Sequence, residues 1–354
     1  MAETPHEGAD GGAEIIELDF QKERLIRDPA VHRSPPESQS PDAAHPHFID
    51  DGDDWLTGDA IPQRDWLIPG IMPLGRIGLL TGEGGLGKSR LALQIAAAIA
   101  SGDTDWLPGT GIKTDGEPRT VVYVTYEDEK AELFRRIASI GFDDPASQFG
   151  GRLRRLRQAG DLWGPAPESS GHTSTLGSER EALTAIKDYC CERDACLLII
   201  DTLGGAFLSN ENDRGLVTQF CGNLDTWGQN NGVTVMLISH PPKSGGAYSG
   251  STAWRGSVRW LMYASRAELH PAKGKGENRT PAVLWPALSM DKSNYGIEHA
   301  SPKWWFSTDR QRGMKLEGKA TVVSKAEAKR IHNGLGAEPE YEAAEYEAPP
   351  EHMF

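Results

Sequence analysis

The sequence predicts an α/β protein with a mostly parallel sheet, helices on both faces and antiparallel C-terminal hairpins. Three observations predict it. Gly82-Glu83-Gly84-Gly85-Leu86-Gly87-Lys88-Ser89 fits the pattern G-x-x-x-x-G-K-[ST] directly after the apolar run Ile77-Gly78-Leu79-Leu80. Apolar β-rich runs then alternate with helical patterns as far as residue 238, as parallel strands joined by crossover helices do. Beyond that point the strand-like runs 258–264, 283–291 and 304–307 follow one another without a helix, as antiparallel hairpins do.

Charge is unevenly spread along the chain. Residues 1–55 carry fourteen Asp and Glu against four Lys and Arg, and residues 338–354 carry six Glu with no Lys or Arg. The net charge of −14 therefore resides at the two ends, and an about neutral middle leaves nucleic acid open as a partner. Residues 1–54, rich in Pro, Ser and acids around Ser34–Pro41, are expected to be a disordered acidic arm, because such a composition buries too little apolar surface to order itself. Within it, Ile15-Ile16-Glu17-Leu18-Asp19-Phe20 is either a docking segment or a chance apolar cluster. Residues 55–330 are expected to form the ATPase domain, with Trp66–Pro73 leading into the P-loop strand, and residues 331–354 a second acidic disordered segment. With no run of eighteen apolar residues and no signal-peptide pattern, the expectation is a cytoplasmic protein without a membrane partner. Cys190, Cys191, Cys196 and Cys221 lack paired C-x-x-C spacing and read as buried thiols of a reducing compartment.

The P-loop residues Gly82 to Ser89 would turn backbone N–H groups toward a polyphosphate, with the helix over about 87–100 pointing its positive dipole end at the same charge. ATP and Mg²⁺ are the expected cofactors: Lys88 would neutralise the β- and γ-phosphates and Ser89 would ligate the metal. Val121–Thr125 is a strand followed by Tyr126-Glu127-Asp128 and a helix over about 130–141. Glu127, at the mouth of that strand, is the candidate base for the attacking water, while Asp128 suits the start of the helix. After a helix over about 179–193, Cys196–Ile200 runs into Asp201, an apolar strand ending in a carboxylate that would hold Mg²⁺. A helix over about 215–230 precedes Val233–Ile238, which ends in Ser239-His240, where either side chain would sense a γ-phosphate. Arg152, Arg154, Arg155 and Arg157 form a basic cluster or a half-exposed edge strand.

Two further motifs complete an ordered set, Gly250-Ser251-Thr252-Ala253-Trp254-Arg255-Gly256-Ser257-Val258-Arg259-Trp260 and Lys292-Ser293-Asn294-Tyr295-Gly296. Taken in order, the set resembles the RecA-fold ATPases related to the plasmid replicative helicase RepA over roughly residues 60–310. That resemblance implies a RecA-like core assembled into a hexameric ring with ATP bound between subunits. It implies Lys88 and Ser89 as ligands of phosphate and Mg²⁺, Glu127 as catalytic base, Asp201 as the Walker B acid, Arg259 as arginine finger with Arg255 as second candidate, and Arg136 and Tyr295 as the residues stacking on adenine; His240 joins the catalytic candidates by its place at a strand end. Arg90 follows the P-loop and joins Gly82–Ser89 among the expected nucleotide contacts. This chain has Ser239-His240 where the plasmid helicase has two histidines, so the sensing position departs from the family pattern.

The implied activity is an ATP-driven motor on single-stranded DNA, a replicative helicase of plasmid, phage or prophage type. Loops 203–214 and 243–253 would line the ring's channel, the second offering Lys243 for charge and Tyr248 for stacking. The tail ending in Phe354 would dock a replication partner or merely solubilise the chain. Two other classes fit the same residues: a recombination or repair accessory ATPase without unwinding, and a regulatory ATPase switch that binds no DNA.

Overall fold

A nine-stranded mixed sheet forms the frame, in the order Lys315–Val323, Trp304–Arg312, Val283–Ser293, Trp260–His270, Ile77–Gly82, Thr234–Ile238, Ala195–Asp201, Thr120–Thr125 and Leu153–Arg157. The computed structural model describes residues 63–157, 160–165, 177–240, 253–273, 281–295, 304–312 and 315–335. The acidic arm, Lys243, Tyr248 and the tail from 336 to Phe354 lie outside the described residues, so the expectations placed on them find no structural counterpart here.

The parallel half consists of β3 (Ile77–Gly82), β4 (Thr120–Thr125), β5 (Leu153–Arg157), β8 (Ala195–Asp201), β9 (Thr234–Ile238) and β10 (Trp260–His270). Its strands read as continuous apolar runs because both faces are covered. Val121, Tyr123, Leu197 and Ile199 enter one core with α1 (Lys88–Ser101), α2 (Lys130–Ser139) and α3 (Pro145–Phe149). The alternate residues Val122, Val124, Leu198 and Ile200 enter the other, with α4 (Glu181–Glu192), α5 (Leu203–Ala206), α6 (Arg214–Asn231) and α7 (Ala253–Ser257). Period-two alternation thus feeds two helical layers from one sheet. Two short antiparallel pairs stand apart from it, β1 (Trp66–Ile68) with β2 (Met72–Pro73) and β6 (Trp163–Pro165) with β7 (Gly177–Glu179).

The antiparallel half is larger than the sequence suggests. β10 turns back into β11 (Val283–Ser293), then β12 (Trp304–Arg312) and β13 (Lys315–Val323), and α8 (Lys325–Leu335) follows. Helix α8 carries the ordered chain past the boundary of 330 expected from composition. Strand β13 was not legible because little in it alternates, and it is held by a distant partner. The buried amide of Gln94 on α1 donates to Trp106 O and Ala320 O and accepts from Ala320 N, at 2.9, 3.0 and 2.8 Å. The Arg-rich segment forms the edge strand β5 from Leu153 onward, with Arg152 just ahead of it and Arg155 donating to Asp128 O at 3.1 Å. Three cysteines are buried, and burial pushes the Cys190 and Cys196 thiols up to about 12. Cys191 departs from expectation: it is exposed, on the outer side of α4. No helix among the described residues is long and apolar enough to cross a membrane.

Strand β3 packs tightly on its neighbour β10. A Cβ added to Gly78 would lie 1.8 Å from Trp260 Cε2, whereas one added to Gly222 on α6 meets nothing within 4 Å. Gly78→Ala should lower the unfolding free energy by about 1–3 kcal/mol through overpacking. Gly222→Ala should raise it by about 0.5–1 kcal/mol by removing a helical glycine. Urea denaturation of the two variants distinguishes these outcomes, and equal stabilities would contradict the close approach of β3 and β10.

Candidate functional site

Four parallel strands end at one edge of the sheet, and each delivers its polar residues there. The register pairs Leu80 with Ile238, Ile238 with Asp201, and Asp201 with Thr125, so the segments after β3, β9, β8 and β4 begin side by side. Backbone bonds extend the ladder into the loops, from Ser239 N to Leu80 O at 3.1 Å and from Tyr126 N to Asp201 O at 2.7 Å. The P-loop leaves this edge with Gly82, Gly85 and Gly87 at φ 138°, 75° and 76°. Gly82 has no alternative, since a Cβ there would lie 1.9 Å from Ala264 O. Gly87 forms the N-cap of α1, whose first N–H groups face the loop. Leu86 is buried in the core, which anchors the loop, while Gly84 and Gly85 are exposed.

Lys88 lies at the centre of the cluster, almost fully buried. Its ammonium donates to Gly82 O at 2.7 Å and Glu83 O at 2.9 Å, and contacts His240 Nδ1 at 3.2 Å. An ammonium only donates, so Nδ1 is the acceptor in that contact. Burial, and then the Lys88 charge, push the His240 pKa down, which favours the neutral ring this contact needs. Burial also brings the Lys88 pKa down to about 8, against the pull of Asp201, Glu127 and Glu83. Ser239 faces away from this cluster: its hydroxyl donates to Thr81 Oγ1 at 2.8 Å inside the sheet, leaving His240 as the strand-end residue beside Lys88.

Asp201 ends β8 fully buried, its Oδ2 accepting from Tyr123 Oη at 2.5 Å. Burial pushes its carboxyl pKa up, and the hydroxyls of Tyr123 and Ser89 oppose that shift. Its Oδ1 is buried with no hydrogen-bond partner among the described residues. A carboxylate oxygen left without a donor, close to a serine hydroxyl, suits a divalent cation. Ser89 and Asp201 are the residues that would hold Mg²⁺. Glu127 is more exposed and accepts from Thr202 Oγ1 at 3.1 Å, so it stays open to solvent beside the buried acid.

The remaining expected residues separate into two groups. Arg136 stays on this side, paired with Asp128 and with Glu132 of its own helix, and Arg90 donates to Ser139 at the end of α2. Arg259 and Tyr295 lie at the opposite edge. Arg259 N bonds to Ile77 O, at the start of β3, and Asn294 N bonds to Arg259 O. The expected adenine pair, Arg136 and Tyr295, is therefore not brought together within one chain. Strand β3 stands between the two edges. Arg255, on α7, donates to Asp291 O at 2.7 Å.

Three residues at the P-loop edge went unrecognised in the sequence. Tyr123 buttresses Asp201, and a tyrosine among the valines of a buried strand is itself a signal, because its hydroxyl needs a partner. Thr202 holds Glu127. Arg266 on β10 clasps the P-loop through Glu83 Oε2 at 2.6 Å, and nothing in the local pattern announces it.

Residues 42–246 match a family model described as an AAA domain. The match takes in Lys88, Glu127, Asp201 and His240 and ends ahead of Arg255, Arg259 and Tyr295. Glu127→Gln should lower kcat for ATP hydrolysis by about 100-fold or more while leaving ATP affinity intact, measured by steady-state turnover and equilibrium binding. Retained turnover would remove Glu127 as the base. Because the match to residues 42–246 covers more than half of the sequence and includes the whole P-loop edge, the chain belongs to the AAA domain family of P-loop ATPases.

Proposed function

We propose that the chain is an ATP-hydrolysing motor on single-stranded DNA that works as a ring, a hexameric replicative helicase of plasmid, phage or prophage type with a RecA-like core. The observation that carries this reading is the division of its catalytic groups between two edges. Lys88, Ser89, Glu127, Asp201 and His240 stand where β3 ends, and Arg259 and Tyr295 where it begins. Five residue steps of strand separate the edges by about 17 Å. Arg259 is thus too far from its own P-loop to touch a phosphate there, and it suits the phosphate held by a neighbour. A closed ring in which each P-loop edge meets the next subunit's far edge gives every site a complete set. The same apposition would let Arg136 of one subunit and Tyr295 of the next enclose an adenine.

In such a site Lys88 leaves its backbone acceptors for the β- and γ-phosphates, and Glu127 orients a water and takes its proton. Bound Mg²⁺ would supply charge neutralisation at the phosphate oxygens. Arg259 adds positive charge where negative charge grows in the transition state. Two channel-lining segments start close to these groups: 203–214, which opens with α5, follows Thr202, the partner of Glu127, and 243–253 comes shortly after His240, the partner of Lys88. Hydrolysis would be felt at the root of both segments. Lys243 and Tyr248 in the second supply the charge and aromatic surface that grip a strand. The acidic composition of residues 338–354 suits a separate dock for a replication partner.

Turnover should rise when single-stranded DNA is added, and a forked duplex should be separated in the presence of ATP. Stimulation without strand separation would overturn the helicase assignment in favour of a recombination or repair accessory. ATPase activity indifferent to DNA would overturn the nucleic-acid reading altogether and leave a regulatory switch. Removing residues 338–354 should spare turnover while weakening binding to a replication partner such as a primase or polymerase, read in a pull-down.

A further inference from the structure

At the edge opposite the P-loop one buried carboxylate organises two arginines. Asp225 on α6 is 4% exposed and accepts four hydrogen bonds. Its Oδ1 takes Ile77 N at 3.2 Å, and its Oδ2 takes Arg259 Nε at 3.0 Å, Gln229 Nε2 at 3.1 Å and Arg76 Nη1 at 3.3 Å. Because Arg259 is held through Nε, both of its terminal Nη groups are left without a hydrogen bond among the described residues, on a side chain 40% exposed. Arg76 is held through one Nη and keeps its other donors, with its side chain 22% exposed. A third guanidinium, that of Arg64, stacks on the Tyr295 ring at 3.8 Å, and Arg76 is 5.7 Å from the same ring. Two guanidinium groups thus share one carboxylate, and a third lies on the adjoining ring.

We propose that Arg76 and Arg259, braced side by side on Asp225, form a two-guanidinium receptor for a polyphosphate. This inference rests on the ring reading, in which the polyphosphate is the tail of the nucleotide held by the adjacent subunit, and it adds Arg76 as a second ligand to it. Guanidinium forks match phosphate oxygens in geometry, and two of them spread along a chain of phosphates more specifically than one. Two like charges this close repel, and Asp225 offsets that repulsion from within the fold. By fixing Nε of Arg259, it also removes rotamer freedom that binding would otherwise have to quench. Asp225 touches no ligand in this arrangement. It is a positioning residue, and Arg76 and Arg259 are the contacts.

The test uses full-length Arg76→Ala, Arg259→Ala and Asp225→Asn, each alone and each mixed with Lys88→Ala subunits, whose far edge is intact. ATPase kcat, KM and the mass of the assembly are the readouts. Arg76→Ala should lower kcat about tenfold or more, keep the mass of the assembly, and regain activity on mixing, because Lys88→Ala subunits then present Arg76 to a working P-loop. Asp225→Asn, which keeps an oxygen for Ile77 N, should lower kcat in the same direction and also recover on mixing. If Arg76→Ala fails to assemble, Arg76→Gln, able to bond Asp225 but without charge, is read in its place. An Arg76 variant with full kcat overturns the receptor. So does one that stays inactive on mixing while Arg259→Ala recovers, and the ring reading then survives. If Arg259→Ala itself does not recover on mixing, the ring reading fails and the receptor falls with it.

Discussion

The in-register parallel alignment of β3, β9, β8 and β4 is the constraint on which the rest depends. Parallel strands end on the same side, so pairing Leu80 with Ile238, Ile238 with Asp201 and Asp201 with Thr125 delivers four strand ends to one line. A one-residue slip would turn Asp201 toward the opposite face and away from Tyr123. The two helical layers make such a slip costly, because alternate residues of every central strand are committed to different cores. Fold stability and site geometry are therefore one property of this sheet.

The same alignment explains why the site is electrostatically asymmetric. At the P-loop edge a buried lysine faces a buried aspartate and a more open glutamate, with backbone carbonyls and a neutral imidazole around the ammonium. At the other edge the excess is positive, with Arg76 and Arg259 on Asp225 and Arg64 on the neighbouring Tyr295 ring. Each edge has what the other lacks for phosphate chemistry. That complementarity, more than any single motif, favours subunits placed edge to edge.

Much of this was legible in the sequence, for physical reasons that differ by element. The P-loop was legible because few residue types tolerate its backbone, and Gly82, Gly85 and Gly87 indeed have positive φ. The parallel strands were legible because burial on both faces leaves unbroken apolar runs. Asp201 was legible as the acid closing such a run. Asp225 carried a signal that was not used: Leu216, Val217, Phe220, Cys221 and Leu224 mark the buried face of α6, and Asp225 falls on it. A lone acid on an apolar helical face needs partners, and here it has four. Strand β13 and the Gln94 clamp were not legible, because their signal lies in two residues 226 positions apart. Arg266 belongs to the same class, being tied to Glu83 from 183 positions away.

The central claim is that the catalytic site is complete only between subunits. Specific ATPase activity measured across a dilution series, with the mass of the assembly followed in parallel, tests it most directly. The account predicts that activity per chain falls as the assembly dissociates and vanishes with the monomer. A monomer that hydrolyses ATP at the rate of the assembly would contradict it.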